Sequence, residues 1–267
     1  MSVFARNNIN LIGDGPRTMV LAHGFGCDQN MWRFLVPAFE NEYRIVLFDH
    51  VGAGKSDLSQ YRRDKYDSLR GYAKDVLEII EAVNGAPAIF IGHSVSAMIG
   101  ALAAIKRPES FEKLILIGPS PCYINDEGYV GGFNGSDIDG LLETLDSNYL
   151  GWSSAMAPVI MGNPSRPELQ AELTESFCRT DPDIASEFAR VTFLSDNRSD
   201  LRSVRTPALV LQCSEDVIAP DAVGEYVHRN LSGSTLMKLR ATGHCPHLSA
   251  PDETIAAIKE YLGGRGI

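Results

Sequence analysis

Short apolar, β-branched runs alternate along the chain with longer stretches whose apolar positions recur every three or four residues. That alternation is the pattern of a mostly parallel central sheet flanked by helices. The runs predict strands over 18–22, 43–48, 88–91, 114–117, 208–212 and 235–239. Their nearly continuous apolar character suits strands buried on both faces. Between the second and third runs, Leu69, Tyr72, Ala73, Val76, Leu77, Ile80 and Val83 repeat with helical period behind a cap at Asp67 or Ser68, and Asn84-Gly85 ends the helix. A second helix is predicted from about 95 to 105, stopping before Pro108.

From 119 to about 204 the alternation stops. The patterns there are helical, at Ile138, Leu141, Leu142 and Leu145 and again at Leu169, Leu173 and Phe177, opened by Ser136-Asp137 and Pro167-Glu168. The expected organisation is an α/β core of residues 1–118 and 205–267, with 119–204 inserted as a helical lid. Such an insertion would cover the strand ends where open α/β sheets bind ligands.

Composition narrows the partners. The 267 residues are 44% apolar, the balance of a soluble globular protein. With 24 basic against 34 acidic residues the net charge is −10, which works against nucleic acid as a partner. The longest nearly apolar stretch, 95–105, falls short of the ~18 residues of a membrane span. The opening MSVFARNNIN has no apolar h-region, so no signal peptide is expected. Cys27, Cys122, Cys178, Cys213 and Cys245 are odd in number and lack CxxC spacing, which fits reduced thiols in a cytoplasmic protein.

The candidate chemistry starts after the strand 88–91, where the chain reads Gly92-His93-Ser94-Val95-Ser96 and enters a helix. A serine between small residues on such a turn is forced into a strained backbone that points its hydroxyl out of the sheet. The pattern is G-x-S-x-G with Ser96 in the final glycine position. Alone it is weak, because a serine opening a helix is more often a simple cap. A hydroxyl also needs a base, and the base needs a carboxylate to orient it. Asp216 follows the strand 208–212, with Glu215 beside it as a rival acid. His244 follows the last strand directly after Gly243 and is preferred to His247, which is expected to bond a backbone group. The order Ser, Asp, His is that of α/β hydrolases and not that of chymotrypsin or subtilisin. A Gly-rich turn, His23-Gly24-Phe25-Gly26, follows the first strand, and the Phe25 and Val95 amides are the expected oxyanion donors.

Three other signals are weaker. Gly52-Ala53-Gly54-Lys55-Ser56 suggests a phosphate loop, but Asp49 stands where that motif needs glycine, and the polar stretch 57–66 follows in place of a helix. Gly24-x-Gly26 lacks the third glycine of a dinucleotide fingerprint, since Gln29 occupies it. His244, Cys245 and His247 have no fourth ligand, so no metal site is expected.

Several segments together carry a family resemblance. They are His23-Gly24-Phe25-Gly26-Cys27-Asp28-Gln29, Phe48-Asp49-His50-Val51-Gly52-Ala53-Gly54-Lys55-Ser56-Asp57, Gly92-His93-Ser94-Val95-Ser96-Ala97-Met98-Ile99-Gly100, Gly118-Pro119-Ser120-Pro121-Cys122-Tyr123 and Gly243-His244-Cys245-Pro246-His247. The chain resembles the α/β-hydrolase-fold serine hydrolases, and among them the RsbQ-like regulators of bacteria and the karrikin and strigolactone receptors of plants. Ser96 is similar to the plant members, whereas 118–123 and Cys245 are similar to the RsbQ-like ones. The resemblance selects Asp216 over Glu215. It implies an α/β-hydrolase fold without a cofactor, whose small apolar cavity lies under four lid helices. Phe25, Phe133, Trp152, Met156, Phe193 and Ile218 would line that cavity, with His93 nearby. Met156 stands where the plant receptors tend to carry Phe. Ordinary packing between lid and sheet is expected for Phe177 and Phe188.

Two functions follow from the resemblance. One is a serine hydrolase, with Ser94, Asp216 and His244 acting on a small hydrophobic ester, lactone or enol-ether-like substrate. The other is a slow-turnover receptor that acts through a signalling protein partner, as a monomer or weak dimer. Dehalogenase chemistry is disfavoured, because its nucleophile is an aspartate and this chain has Ser94 there.

Overall fold

The computed structural model describes residues 2–263. Position 1 and positions 264–267, the outer ends of the expected core, lie outside the described residues. Seven strands form one sheet: β1 (Asn10–Ile12), β2 (Arg17–Ala22), β3 (Tyr43–Leu47), β4 (Ala88–His93), β5 (Phe111–Ile117), β6 (Ala208–Glu215) and β7 (Ser234–Thr242). Their order is β1-β3-β2-β4-β5-β6-β7. Every neighbouring pair is parallel except β1 with β3.

The six predicted strands are all present, and β1 is an addition. Asn10-Leu11-Ile12 is short and largely exposed, so it carries neither an apolar run nor an alternation to mark it. β5 starts earlier than its apolar run because Phe111 and Lys113 pair with Ala88 and Ile89, with partly exposed Glu112 at the register shift between them.

Side-chain alternation divides the sheet between two apolar layers. Met19, Leu21, Ile89, Ile91, Ile115, Ile117, Leu209 and Leu211 point into one, and Val20, Ala22, Phe90, Leu114, Leu116, Ala208 and Val210 into the other. Each such large side chain contributes about 1.5–3 kcal/mol on burial, which explains why both faces must be covered.

The longer helices supply that cover. They are α1 (Leu69–Ala82), α2 (Val95–Lys106), α3 (Gly135–Ser147), α4 (Tyr149–Met161), α5 (Pro167–Cys178), α6 (Pro182–Phe193), α7 (Asp221–Asn230) and α8 (Pro251–Leu262). α1 buries Leu69, Tyr72, Ala73, Val76, Leu77 and Ile80, and Asn84 ends it in the left-handed region with φ 49. α2 is buried from Val95 to Ala104 without a polar face, as the central crossover of a doubly covered sheet. α3, α4, α5 and α6 follow one another between β5 and β6. No described helix is long and apolar enough to cross a membrane.

Candidate active site

β4 delivers the chain to Ser94, which adopts φ 56 and ψ −123 at the start of α2. A non-glycine residue in that region costs about 1–3 kcal/mol and persists only where its surroundings enforce it. Here the Ser94 amide donates to the Ile117 carbonyl at 2.8 Å. Gly92 provides the clearance, since a Cβ there would lie 2.5 Å from the Ser96 carbonyl oxygen.

Asp216, in the loop after β6, accepts from the Ile218 and Ala219 amides at 2.9 and 3.0 Å through Oδ1. Its Oδ2 lies 2.7 Å from His244 Nδ1, and His244 Nε2 lies 2.7 Å from Ser94 Oγ. Burial pushes the Asp216 carboxyl up, but the His244 imidazole and the two amides outweigh this and hold it below the usual carboxylate range. An ionised carboxylate only accepts, so Nδ1 donates to it and Nε2 is left to accept from the Ser94 hydroxyl.

The imidazole is held from several sides. Its main-chain amide donates to the Ile160 carbonyl of α4 at 2.8 Å. His93 Nε2 donates to the His244 carbonyl at 2.8 Å. Gly118, at φ 55, lies against the ring, and a Cβ there would sit 3.1 Å from His244 Cε1.

The rival residues fall elsewhere. Glu215 is exposed, and its carbonyl receives the Gly243 amide. His247 does not bond a backbone group: both of its ring nitrogens are buried without a partner. It packs instead on Trp32, at 4.9 Å between ring centroids, because the helical turn after Cys245 aims it into the apolar layer. His93, Cys245 and His247 each bring a donor atom within 4.8 Å of the others. Burial pushes the Cys245 thiol well above its ordinary value, which disfavours the thiolate a metal would need.

Ser96 is more than a tolerated replacement for glycine. Its hydroxyl donates to the His23 carbonyl and receives His50 Nε2 at 2.8 Å. The His50 amide in turn donates to His23 Nε2 at 3.1 Å. The Gly-rich turn after β2 is thereby tied to the first turn of α2. Neither the Phe25 nor the Val95 amide donates to a protein group among the described residues.

The Gly52-to-Ser56 stretch is a turn closed around a side chain: the Asp49 carboxylate accepts from the Gln29 and Lys55 amides, each at 2.9 Å. The Gly52 amide is likewise bonded within the turn, to Ser56 Oγ at 3.0 Å.

A narrow cavity of about 30 Å³ lies in front of Ser94. Phe25, His93, Phe193 and Ile218 line it, whereas Phe133, Trp152 and Met156 do not. Trp152, Met156 and Ile160 form one stripe of α4, and only Ile160, next to His244, reaches the cavity. Trp152 stands behind, edge-on to Phe25 at 5.9 Å and 5.4 Å from the Phe177 ring. Partly buried Phe133 belongs to the irregular stretch before α3, where its backbone bonds Tyr123 and Asn125. Phe177 lines the cavity, contrary to the expectation of ordinary packing, while Phe188 packs against Tyr72 at 4.6 Å.

Tyr123, Leu173, Thr192, Cys27 and Cys245 complete much of the wall and were not picked out from the sequence as lining residues. Tyr123 lies within the 118–123 segment, and burial pushes its phenol up to about 12 while the neighbouring Ser94 pulls it down. The Thr192 hydroxyl is buried without a partner, a state that costs about 1–3 kcal/mol in a closed site.

Comparison with known proteins follows the same outline. A model of the Alpha/beta hydrolase family matches residues 19–257. The chain is 40% identical to the karrikin insensitive 2 receptor CA of Petunia hybrida, covering 96% of this chain and 95% of that one. It is 41% identical to a probable esterase, D14L, of Oryza sativa subsp. japonica, over 96% and 95% of the two chains. Among solved structures, a hydrolase from Oleispira antarctica superposes with a TM-score of 0.96 at 43% identity, over 98% and 97%.

Proposed function

The chain belongs to the alpha/beta hydrolase family, and from that premise we propose that it is a serine hydrolase of small apolar esters, lactones or enol-ether-like compounds, with Ser94, His244 and Asp216 as its catalytic residues. What supports this most is the unbroken chain from Ser94 Oγ to His244 to Asp216, with both links at 2.7 Å and an apolar cavity in front of the hydroxyl.

Ser94 Oγ attacks the acyl carbon while His244 Nε2 takes its proton, and the carbonyl electron pair moves onto oxygen. The free Phe25 and Val95 amides hold that oxyanion, each such donor contributing about 10² to 10³ in rate. Collapse expels the alcohol or enolate, which leaves with the proton from His244. Water then attacks the acyl enzyme with the same histidine as base, and Ser94 is regenerated. Asp216 stays ionised throughout and stabilises the imidazolium. No cofactor enters this sequence.

Residues 119–204 act in this reading as a lid on a core of 1–118 and 205–267, in a cytoplasmic protein that is a monomer or weak dimer. A second reading is supported by the 40% identity to a receptor. In it the same site turns over slowly, and a protein partner reads the liganded lid.

A serine-directed phosphonyl reagent is expected to add once, on Ser94, by intact mass. An adduct that persists in Ser94→Ala, or none in the parent protein, overturns the assignment. Many turnovers of a simple aryl ester support the metabolic reading, and a single burst followed by stalling supports the receptor. Gly118→Ala tests the seat of the base. The added methyl displaces the ring, so kcat is expected to fall about 10²-fold with little change in KM. An unchanged kcat would show that the ring has room to spare.

A further inference from the structure

We propose that the Thr192 hydroxyl is a specificity-determining donor that binds a second oxygen of the substrate, so that the cavity selects small esters or lactones carrying an additional ether or carbonyl oxygen. The inference deepens the hydrolase reading and rests on it for the identity of the reacting end.

The other helical threonines show what Thr192 forgoes. Thr144, Thr174 and Thr254 each bond the carbonyl four residues earlier, at 2.8, 2.9 and 3.0 Å. This is the usual refuge of a threonine hydroxyl inside a helix. Thr192, in the last turn of α6, makes no such bond to Phe188, and its Oγ1 is buried without any protein partner. The residue is only 1% exposed, so bulk water does not serve it.

It lines the cavity that contains Ser94, where its neighbours on the wall include Phe25, Phe177 and Phe193. These rings offer no acceptor. Tyr123, the other hydroxyl-bearing wall residue besides Ser94 itself, lies beside Ser94 and belongs to the reacting end. Thr192 belongs to the inserted helices, whereas Ser94 rises from the sheet. A ligand held at both groups therefore needs a scissile carbonyl and a second acceptor. An ester with only a hydrocarbon acyl chain would leave the donor unmatched, and polar mismatch of this kind discriminates more sharply than apolar fit.

The test uses two acyl groups of nearly equal size, p-nitrophenyl methoxyacetate and p-nitrophenyl butyrate, which differ by an ether oxygen in place of a methylene. Thr192→Val keeps the shape and removes the hydroxyl. It is expected to lower kcat/KM for the methoxyacetate about tenfold relative to the butyrate, with Thr192→Ser restoring much of the difference. The melting temperature of Thr192→Val without ligand should equal or exceed that of the parent. Equal losses on both esters, no change on either, or a clear fall in melting temperature would each overturn the proposal. Binding of the same two esters to Ser94→Ala and to Ser94→Ala/Thr192→Val, read by thermal shift, repeats the comparison without turnover. A preference for the methoxyacetate that disappears with the hydroxyl sustains the Thr192 assignment even if the parent hydrolyses neither ester, an outcome that sinks the hydrolase reading alone. No preference in the binding comparison sinks Thr192 alone.

Discussion

Replacing Ser94 with alanine is expected to lower kcat on a simple aryl ester by about 10⁶-fold, and Asp216→Asn by about 10⁴-fold, with both proteins folded. The second loss is the more informative. In the parent, Asp216 Oδ1 accepts two backbone amides while Oδ2 faces His244 Nδ1. An asparagine must keep its carbonyl oxygen on the amides, so its NH₂ group turns to Nδ1. That nitrogen must then accept, the proton moves to Nε2, and the base can no longer take a proton from Ser94. The geometry survives while the tautomer is wrong. Steady-state kinetics paired with calorimetry checks this, and an Asp216→Asn enzyme within tenfold of the parent would refute the role given to the carboxylate.

Acid should unfold the protein early. His50, His93 and His247 are almost fully buried, and burial is the main cause that lowers all three, with His93 brought down to about 3. In the unfolded chain they titrate near the ordinary value of about 6.5. Their neutral burial is therefore harmless above that pH and increasingly unfavourable below it, because only the unfolded state takes up the protons. Each proton contributes about 1.4 kcal/mol per pH unit, so three give a loss of about 4 kcal/mol per unit below pH 6.5. A domain of ordinary stability, about 5–15 kcal/mol, does not withstand more than a few such units. The lowered Asp216 acts in the same direction but only under its ordinary value of 3.8. Thermal melts by circular dichroism should show a steep fall in Tm between pH 7 and 5, and a flat profile over that window would contradict the linkage.

The sheet was legible because doubly covered parallel strands are almost wholly apolar, a signal that survives in a single sequence. Ser94, Asp216 and His244 stood out for a related reason: each sits within a few residues of a strand's end, so backbone topology alone carries it to one edge. The cavity wall has no such anchor. Trp152, Met156 and Ile160 share a helical stripe, and only the crossing of α4 past His244 decides that Ile160 reaches the cavity. Periodicity reports which side of a helix is apolar and says nothing about which turn meets a void. His247 and Thr192 were opaque for another reason. Their significance lies in bonds they do not make, which no local pattern encodes.

The bond between the His244 amide and the Ile160 carbonyl has a mechanical consequence. The last turn of α4 and the proton acceptor share one strut, so whatever displaces Ile160 is felt at the imidazole that faces Ser94.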